Sequence, residues 1–239
     1  MGWLNNYWLL TSILSSTFFA IGSFIIILGA KKHYSISQML LGLYISGAIM
    51  FAFYIMLNNG FSINSQILTW GIIIGIGSAL SNAFFTYALK LGPVSLTGPL
   101  ANTNVILVII MSVFYYGEIL TLSQILGITL LLLGCFLLPF DPQENKHVKK
   151  NMWYLIILLT IFFMFLLNGG LKITRELLLD NSLVLFYSYI FAMLLFGFSI
   201  VFTKYYFHET FHFQTKALNV GLFAGVFSFL GLQSYAIAL

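Results

Sequence analysis

Residues 95–112 read SLTGPLANTNVILVIIMS, a run that changes from polar to strongly apolar near its middle. A helix that crosses a bilayer needs about 20 mostly apolar residues, because the hydrocarbon core is about 30 Å thick and every backbone polar group must be satisfied internally. This run carries Pro99, Asn102 and Asn104 at a depth where lipid is expected. We therefore expect it to form a helix inside a bundle, with other helices around it.

The composition of the whole chain supports a membrane protein. Hydrophobic residues make up 60% of the 239 and charged residues only 7%, against about 25% charged in a soluble domain, and the mean hydropathy is +1.00. The formal net charge of +4 lies in scattered lysines and forms no basic stripe, so no nucleic-acid partner is predicted. The sequence predicts an all-α polytopic protein of the cell membrane, with the lipid bilayer as its surroundings.

Eight transmembrane helices are predicted from the lengths of the apolar runs. The one real cluster of charge between them is DPQENKHVKKN, residues 141–151, which divides the chain into 1–140 and 152–239. The predicted helices cover residues 7–30, 36–57, 67–91, 93–116, 121–140, 152–174, 182–206 and 217–239.

The two parts of the chain resemble each other. At an offset of 148, residues 86–89 (TYAL) align with residues 234–237 (SYAI), and the sixth predicted helix is similar to the first. The first part is a complete repeat of five helices, and the second part holds three helices of another repeat. Because five is odd, the second repeat is predicted to enter the membrane inverted, as in many secondary transporters. Its last two helices are not found here, which a fragment of a longer protein and a shortened protein would explain equally well.

Residues 95–104 are predicted to bend and to be polar on two faces. Pro99 removes a backbone hydrogen bond and crowds the carbonyl of Ser95, so a kink or local unwinding is expected. Asn102 and Asn104 are about 200° apart around a helix and cannot share a face. Ser95, Pro99 and Asn102 form one stripe, while Thr97 and Asn104 form the other. One stripe is expected to face a cavity and the other to bond a neighbouring helix, and the spacing does not say which.

Other polar residues at depth are neutral. No Asp, His, Lys or Arg falls near the centre of a predicted helix, which favours a neutral or zwitterionic solute. Gly71 and Gly75, with Ser78 and Asn82, recur at spacings of three and four, which is typical of close helix packing. The residues predicted to bind the solute are Ser16, Asn82, Phe85, Pro99, Asn102 and Gln233.

Glu118 is placed between two helices, in YYGEILTLSQ. Thr121 and Gln124 have the spacing of a capping box that opens the fifth helix, so Glu118 is predicted to lie in an interfacial hairpin. We keep two interpretations for Glu118, a coupling group for protons and a structural residue.

Catalytic and metal-binding chemistry is not predicted. Cys135 is the only cysteine and lies in an apolar run, where a buried side chain is expected. Walker motifs, catalytic triads and clusters of metal ligands are missing from the sequence, so it predicts no metal site, no cofactor and no enzyme.

The order of these features resembles the EamA-type domain of the drug/metabolite transporter superfamily. The resemblance rests on Tyr87-Ala88-Leu89 at the end of the third helix, Pro99 in the fourth, Gly117-Glu118 at its close, and Gln124 with Gly127 at the start of the fifth. It implies ten helices in two inverted repeats, a substrate cavity between them and alternating access. The two helices absent here would then come from a second copy of the chain or from another subunit.

The lysines predict an orientation in the membrane. The loops after helices 1, 3, 5 and 7 hold eight lysines, whereas the opposite side holds only Lys172 and Arg175. The positive-inside rule therefore places the amino terminus outside the cytoplasm. The usual arrangement of the resembling family places it inside.

Three functions are compatible with these observations. The first is a secondary or facilitative transporter of a small polar metabolite or drug-like molecule. The second is a membrane-embedded binding or scaffold subunit that transports nothing. The third is a flippase for a lipid-linked substrate, which would need a groove open sideways to lipid.

Overall fold

A computed structural model describes residues 7–58, 60–137, 150–206 and 213–238 of the chain. These residues form helices and short connections, and none of them is in a strand. The helices consist of long apolar runs interrupted by small and neutral polar residues, as a spanning helix requires. In chain order they are α1 (Tyr7–Lys31), α2 (Ile36–Asn58), α3 (Ser65–Leu91), α4 (Val94–Asn102), α5 (Asn104–Tyr116), α6 (Leu122–Leu137), α7 (Lys150–Glu176), α8 (Asn181–Tyr206) and α9 (Thr215–Ala238).

Seven membrane-spanning segments are found within the described residues, so the predicted count of eight is not reached. Six single helices are long enough, and α4 with α5 forms the seventh span, Val94–Tyr116. The difference lies at α6, which has 16 residues and rises about 24 Å at 1.5 Å per residue, less than a core of about 30 Å. Residues 138–140, with which the predicted fifth helix ends, lie outside the described part.

The fourth span is interrupted, as predicted, but at Thr103 between α4 and α5. Pro99 itself lies inside α4. At the interruption the Thr103 Oγ1 donates to the Leu100 carbonyl at 2.7 Å, and the Asn104 Nδ2 donates to the Ala101 carbonyl at 2.9 Å. Local bonds of this kind give the backbone a partner where the helical ladder stops.

Close helix contacts through glycine form the centre of the bundle, where α2 packs on α8 and α9 and α3 packs on α7 and α8. A Cβ placed on Gly75 of α3 would lie 2.9 Å from the Ser188 carbonyl oxygen of α8. Gly71 lies one turn earlier on the same side. A Cβ on Gly221 of α9 would overlap the main chain of Met39 in α2. The predicted packing role of the small residues on α3 is therefore confirmed.

Charged residues of the described helices and turns segregate to the two ends of the bundle. One end, where α7 finishes and α8 begins, holds all three acids of the described residues together with Lys172 and Arg175. The opposite end holds cations and no acid among the described residues. The three acids are Glu118, Glu176 and Asp180, and the cations opposite include Lys31, Lys32, Lys90, Lys204 and Lys216.

The predicted linker, residues 141–151, lies outside the described residues except for its last two, which begin α7. The side chain of Cys135, predicted to be buried, also lies outside them. The division of the chain near residue 140 stays a prediction.

Candidate functional site

The two polar stripes of α4 and the start of α5 have different surroundings. The Trp153 Nε1 of α7 donates to the Thr97 Oγ1 at 3.2 Å, and the Asn168 Nδ2 of α7 donates to the Asn104 Oδ1 at 2.8 Å. Thr97 is 0% exposed and Asn104 is 1% exposed. The stripe formed by Thr97 and Asn104 therefore anchors this span to α7.

The other stripe faces away from that anchor. Ser95 and Asn102 are exposed, and Pro99 between them is half-buried. A Cβ placed on Gly98 would meet no atom of the described residues within 4 Å. The expectation that one stripe bonds a neighbouring helix is met by Thr97 and Asn104. That the stripe of Ser95, Pro99 and Asn102 faces a solute stays a prediction.

Phe85 connects this region to α3. Its side chain is 8% exposed and packs in a cluster with Leu89 and Ala101. Ile27 of α1 and Met164 of α7 pack against the same cluster. α4 is therefore positioned by α3 and α7, with α1 nearby, and it also contacts α6.

Asn82, predicted to bind the solute, takes part in a hydrogen-bonded network between α2 and α3. Its Nδ2 donates to the Tyr44 Oη at 2.9 Å and to the Ser78 carbonyl at 3.0 Å. The Tyr44 Oη and the Ser78 Oγ are hydrogen-bonded at 2.9 Å, and Tyr44 is fully buried. These bonds give Asn82 a packing role in this conformation, and its role toward a solute stays a prediction.

A second tyrosine completes the polar centre of the bundle. The ring of Tyr189 in α8 meets the ring of Tyr44 edge-on, with centroids 5.1 Å apart. The Tyr189 Oη is hydrogen-bonded to the Ser228 Oγ of α9 at 2.5 Å. The Tyr44 hydroxyl of α2 thus has a partner on α3, and the Tyr189 hydroxyl of α8 has one on α9. These bonds avoid the free-energy cost of burying an unpaired polar group.

The remaining predicted site residues lie apart from Asn102. Ser16 of α1 is exposed and donates to the Ser12 carbonyl of its own helix at 2.9 Å. The Gln233 Nε2 of α9 donates to the Ser182 Oγ at the start of α8 at 3.2 Å. Gln233 is 8% exposed, and its Oε1 is buried with no hydrogen-bond partner among the described residues. Of the six predicted residues, Pro99 and Asn102 lie one turn apart on α4, and Phe85 packs on Ala101, which belongs to the buried face of the same span.

Glu118 lies in the turn between α5 and α6, as predicted. The capping box is present, since Thr121 N donates to the Gln124 Oε1 at 2.8 Å. The Glu118 carboxylate pairs with the Lys172 Nζ at 2.5 Å, and Glu176 pairs with the same ammonium at 2.9 Å. Lys172 therefore joins α7 to the turn. The sequence did not predict this contact, because Lys172 and Glu118 are far apart along the chain.

Metal-ligating side chains do not gather in the part of the chain that the structure describes. Within it, no three His, Cys, Asp or Glu residues lie close enough together to hold a metal ion.

Sequence reasoning did not single out Tyr44, Tyr189 or Trp153. An alignment of the second and seventh predicted helices would have found the first two. At an offset of 145, Tyr44 falls on Tyr189 and Phe51 falls on Phe196. No sequence signal identified Trp153 as the partner of Thr97.

The described helices are apolar and long enough to span a membrane, and neutral polar side chains within them form hydrogen bonds between helices. These features define a multi-pass integral membrane protein. The sequence model of the EamA-like transporter family matches residues 6–140, more than half of the chain. The chain belongs to the EamA-like transporter family. It is also 26% identical over 134 residues to an uncharacterized protein of Methanocaldococcus jannaschii. That match covers 56% of this chain and 96% of the relative, which is therefore about as long as the first predicted repeat.

Proposed function

We propose that this protein is a secondary or facilitative transporter that carries a small neutral or zwitterionic polar solute across the cell membrane by alternating access. The observation that carries the proposal is the division of the fourth span into two faces. Thr97 and Asn104 are held by α7, while Asn102 lies on the other face of the span and is exposed. A polar face at this depth is costly against lipid and is expected to serve a wet path.

The chemistry of the region favours an uncharged or zwitterionic solute. Asn102 supplies an amide that both donates and accepts hydrogen bonds, while a role for Phe85 toward the solute stays a prediction. The charged groups of the described residues lie at the ends of the bundle, away from Asn102. A solute with net charge would have no opposite charge at this depth, and its desolvation would be uncompensated.

The proposed mechanism uses two inverted repeats, and the contacts of the tyrosines support it. The ring of Tyr44 stacks on that of Phe196, and the ring of Tyr189 contacts that of Phe51. At an offset of 145 Tyr44 corresponds to Tyr189 and Phe51 to Phe196, so the two contacts are equivalent under the repeat. Tyr44 bonds Ser78 as Tyr189 bonds Ser228. This pattern is the one expected of a two-fold axis lying between the two tyrosines.

Glycines of α3 and α9 support the same relation. Gly71 and Gly75 contact α8, while Gly221 and Gly225 contact α2. Gly71 and Gly221 are 150 residues apart, as are Gly75 and Gly225. The contacts therefore favour an offset of 150 residues between α3 and α9, whereas the alignment of the two sequences gave 148. Rocking about the tyrosine pair would then expose the Asn102 face first to one side of the membrane and then to the other.

The test is uptake by reconstituted vesicles, screened against a library of neutral and zwitterionic metabolites with and without a proton gradient. Asn102→Leu should abolish uptake of any solute that is found, with insertion unchanged. Thr129→Leu is the matched control, because Thr129 is an exposed polar residue on α6 and bonds only the Ile125 carbonyl of its own helix among the contacts described. Full uptake by Asn102→Leu would refute the site, and no uptake of any solute by the wild type would refute the function.

The predicted partner is part of the same proposal. We propose that the protein associates in the membrane with a second copy of itself or with another subunit. Cross-linking in vesicles, followed by mass measurement, tests this. A monomer that is fully active in uptake would contradict it.

A further inference from the structure

A cavity at the lysine-rich end of the bundle is separate from the Asn102 region. It lies between the end of α1, the end of α3 and the start of α4, and it has a volume of about 260 Å³. Lys31, His33 and Lys90 line it at the rim, and apolar residues, among them Ile27 and Leu89, line the rest. Nothing in the transport proposal uses these cations.

Local structure fixes the cations at the rim. The Tyr34 N–H donates to the Gly29 carbonyl and the His33 N–H to the Ala30 carbonyl, which closes the end of α1 with its own backbone. His33 adopts a left-handed conformation there, with φ of 55°. The Lys90 Nζ donates to the Tyr34 carbonyl at 3.3 Å and so holds this turn against the end of α3.

The electrostatics of the cavity favour an anion. Two lysines contribute formal positive charge, and a His33 ring nitrogen can donate a hydrogen bond in either protonation state. α4 begins at Val94 in the cavity wall with no side-chain cap and presents the positive end of its dipole, while α1 and α3 end there and present the negative ends of theirs, so the cationic side chains set the sign of the field. The three acids of the described residues lie at the opposite end of the bundle.

Size and shape restrict the anion further. A cavity of about 260 Å³ is smaller than the roughly 300–1,000 Å³ that hold drug-sized ligands. It suits one phosphate group with a small substituent. The apolar walls at Ile27 and Leu89 are suited to the first carbons of a lipid beneath its headgroup.

We propose that this cavity is a binding site for a phosphate group, supplied by an anionic phospholipid of the adjacent leaflet. Lys31 and Lys90 pair with the phosphate oxygens, His33 donates to one of them, and the glycerol backbone lies along Ile27 and Leu89. By the positive-inside rule this leaflet is the cytoplasmic one, where anionic lipids attract basic groups. The site is independent of the proposed transport function.

The test is lipid binding to the purified full chain in neutral detergent, followed by native mass spectrometry and thermal unfolding. The probes are dioctanoyl phosphatidylglycerol, dioctanoyl phosphatidylcholine and inorganic phosphate. Phosphatidylglycerol should bind and raise the melting temperature, with weakening at high salt. Lys31→Gln combined with Lys90→Gln should weaken binding roughly 30-fold, at about 1 kcal/mol per lysine and tenfold per 1.4 kcal/mol.

Two further variants separate charge from folding. Lys204→Gln combined with Lys216→Gln removes two cations from the same end of the bundle outside the cavity, and should leave binding unchanged. Lys90→Arg keeps the charge and should retain binding. Equal loss in both double variants, equal binding of phosphatidylcholine, or no binding of any probe would overturn the proposal. Binding of inorganic phosphate without phosphatidylglycerol, with the same dependence on Lys31 and Lys90, would support the anion site and overturn the lipid as its source.

Discussion

Asn102 and Asn104 are two residues apart, yet replacement by leucine should lower the free energy of unfolding strongly at Asn104 and very little at Asn102. Asn104→Leu removes the acceptor of the Asn168 amide and the donor to the Ala101 carbonyl. These groups are then left without partners where Asn104 was 1% exposed. Asn102 is exposed, so Asn102→Leu strands no buried group and places an apolar side chain where lipid or a cavity accepts it.

The expected magnitude for Asn104→Leu is about 2 kcal/mol. Hydrogen bonds between helices in a membrane contribute about 0.6 kcal/mol on average and at most about 1.7. A buried polar group left unpaired costs about 1–3 kcal/mol. Asn102→Leu should change the free energy of unfolding by less than about 0.5 kcal/mol, as is usual for exposed positions. The two variants should therefore differ by more than tenfold in the unfolding equilibrium.

Unfolding by titration with sodium dodecyl sulfate in mixed micelles, followed by tryptophan fluorescence, measures this difference. Asn104→Leu combined with Asn168→Leu provides the internal check. Replacing both partners with apolar groups of similar shape is close to neutral, so the double variant should recover part of the lost stability. Equal stability of the two single variants, or strictly additive losses in the double variant, would refute the assignment of Asn104 as an anchor.

Three other predictions follow from the contacts. Gly221→Val should lower the free energy of unfolding by about 3 kcal/mol or more in the same titration, because the new side chain overlaps the main chain of α2. Gly197→Val is the control, since no atom of the described residues lies within 4 Å of a Cβ placed there. Similar losses of stability in the two variants would contradict the reasoning. Tyr189→Phe should cost about 1 kcal/mol through loss of its bond to α9, and an unchanged midpoint would speak against that bond. Glu118→Gln should leave proton-dependent uptake intact if the residue only pairs with Lys172; loss of the response to a proton gradient with uptake otherwise retained would instead establish a coupling role.

The membrane class and most helix bounds could be predicted from the sequence, because an apolar run of about 20 residues has the length that a membrane-spanning helix needs. α6 is described from Leu122 to Leu137, and residues 138–140, with which the predicted fifth helix ends, lie outside the described part. The interruption of the fourth span was predicted from Pro99, but its position depends on which side chains can bond the released carbonyls. Thr103 and Asn104 do so one turn later.

The candidate site was less predictable, for a physical reason. Helical periodicity tells which residues share a face, so it separated Asn102 from Asn104 correctly. It cannot tell what each face meets, because that depends on the partner helix. Asn82 and Gln233 were chosen as neutral polar residues at depth, and the structure engages them with Tyr44 and Ser182. Polarity at depth thus identified residues with hydrogen-bonding roles, but not which of those roles serve packing.

The interruption at Thr103 also bears on the kind of solute and coupling. Half-helices in transporters often present free carbonyls to a cation where the helix stops. Here the Leu100 and Ala101 carbonyls already accept hydrogen bonds from Thr103 and Asn104. Under the proposed function, the end of α4 would therefore offer a solute the amide of Asn102 and not a cluster of free carbonyls. An amide that donates and accepts equally matches a neutral polar or zwitterionic group better than a bare cation, which is the chemistry that the ion-poor centre of the described bundle also favours.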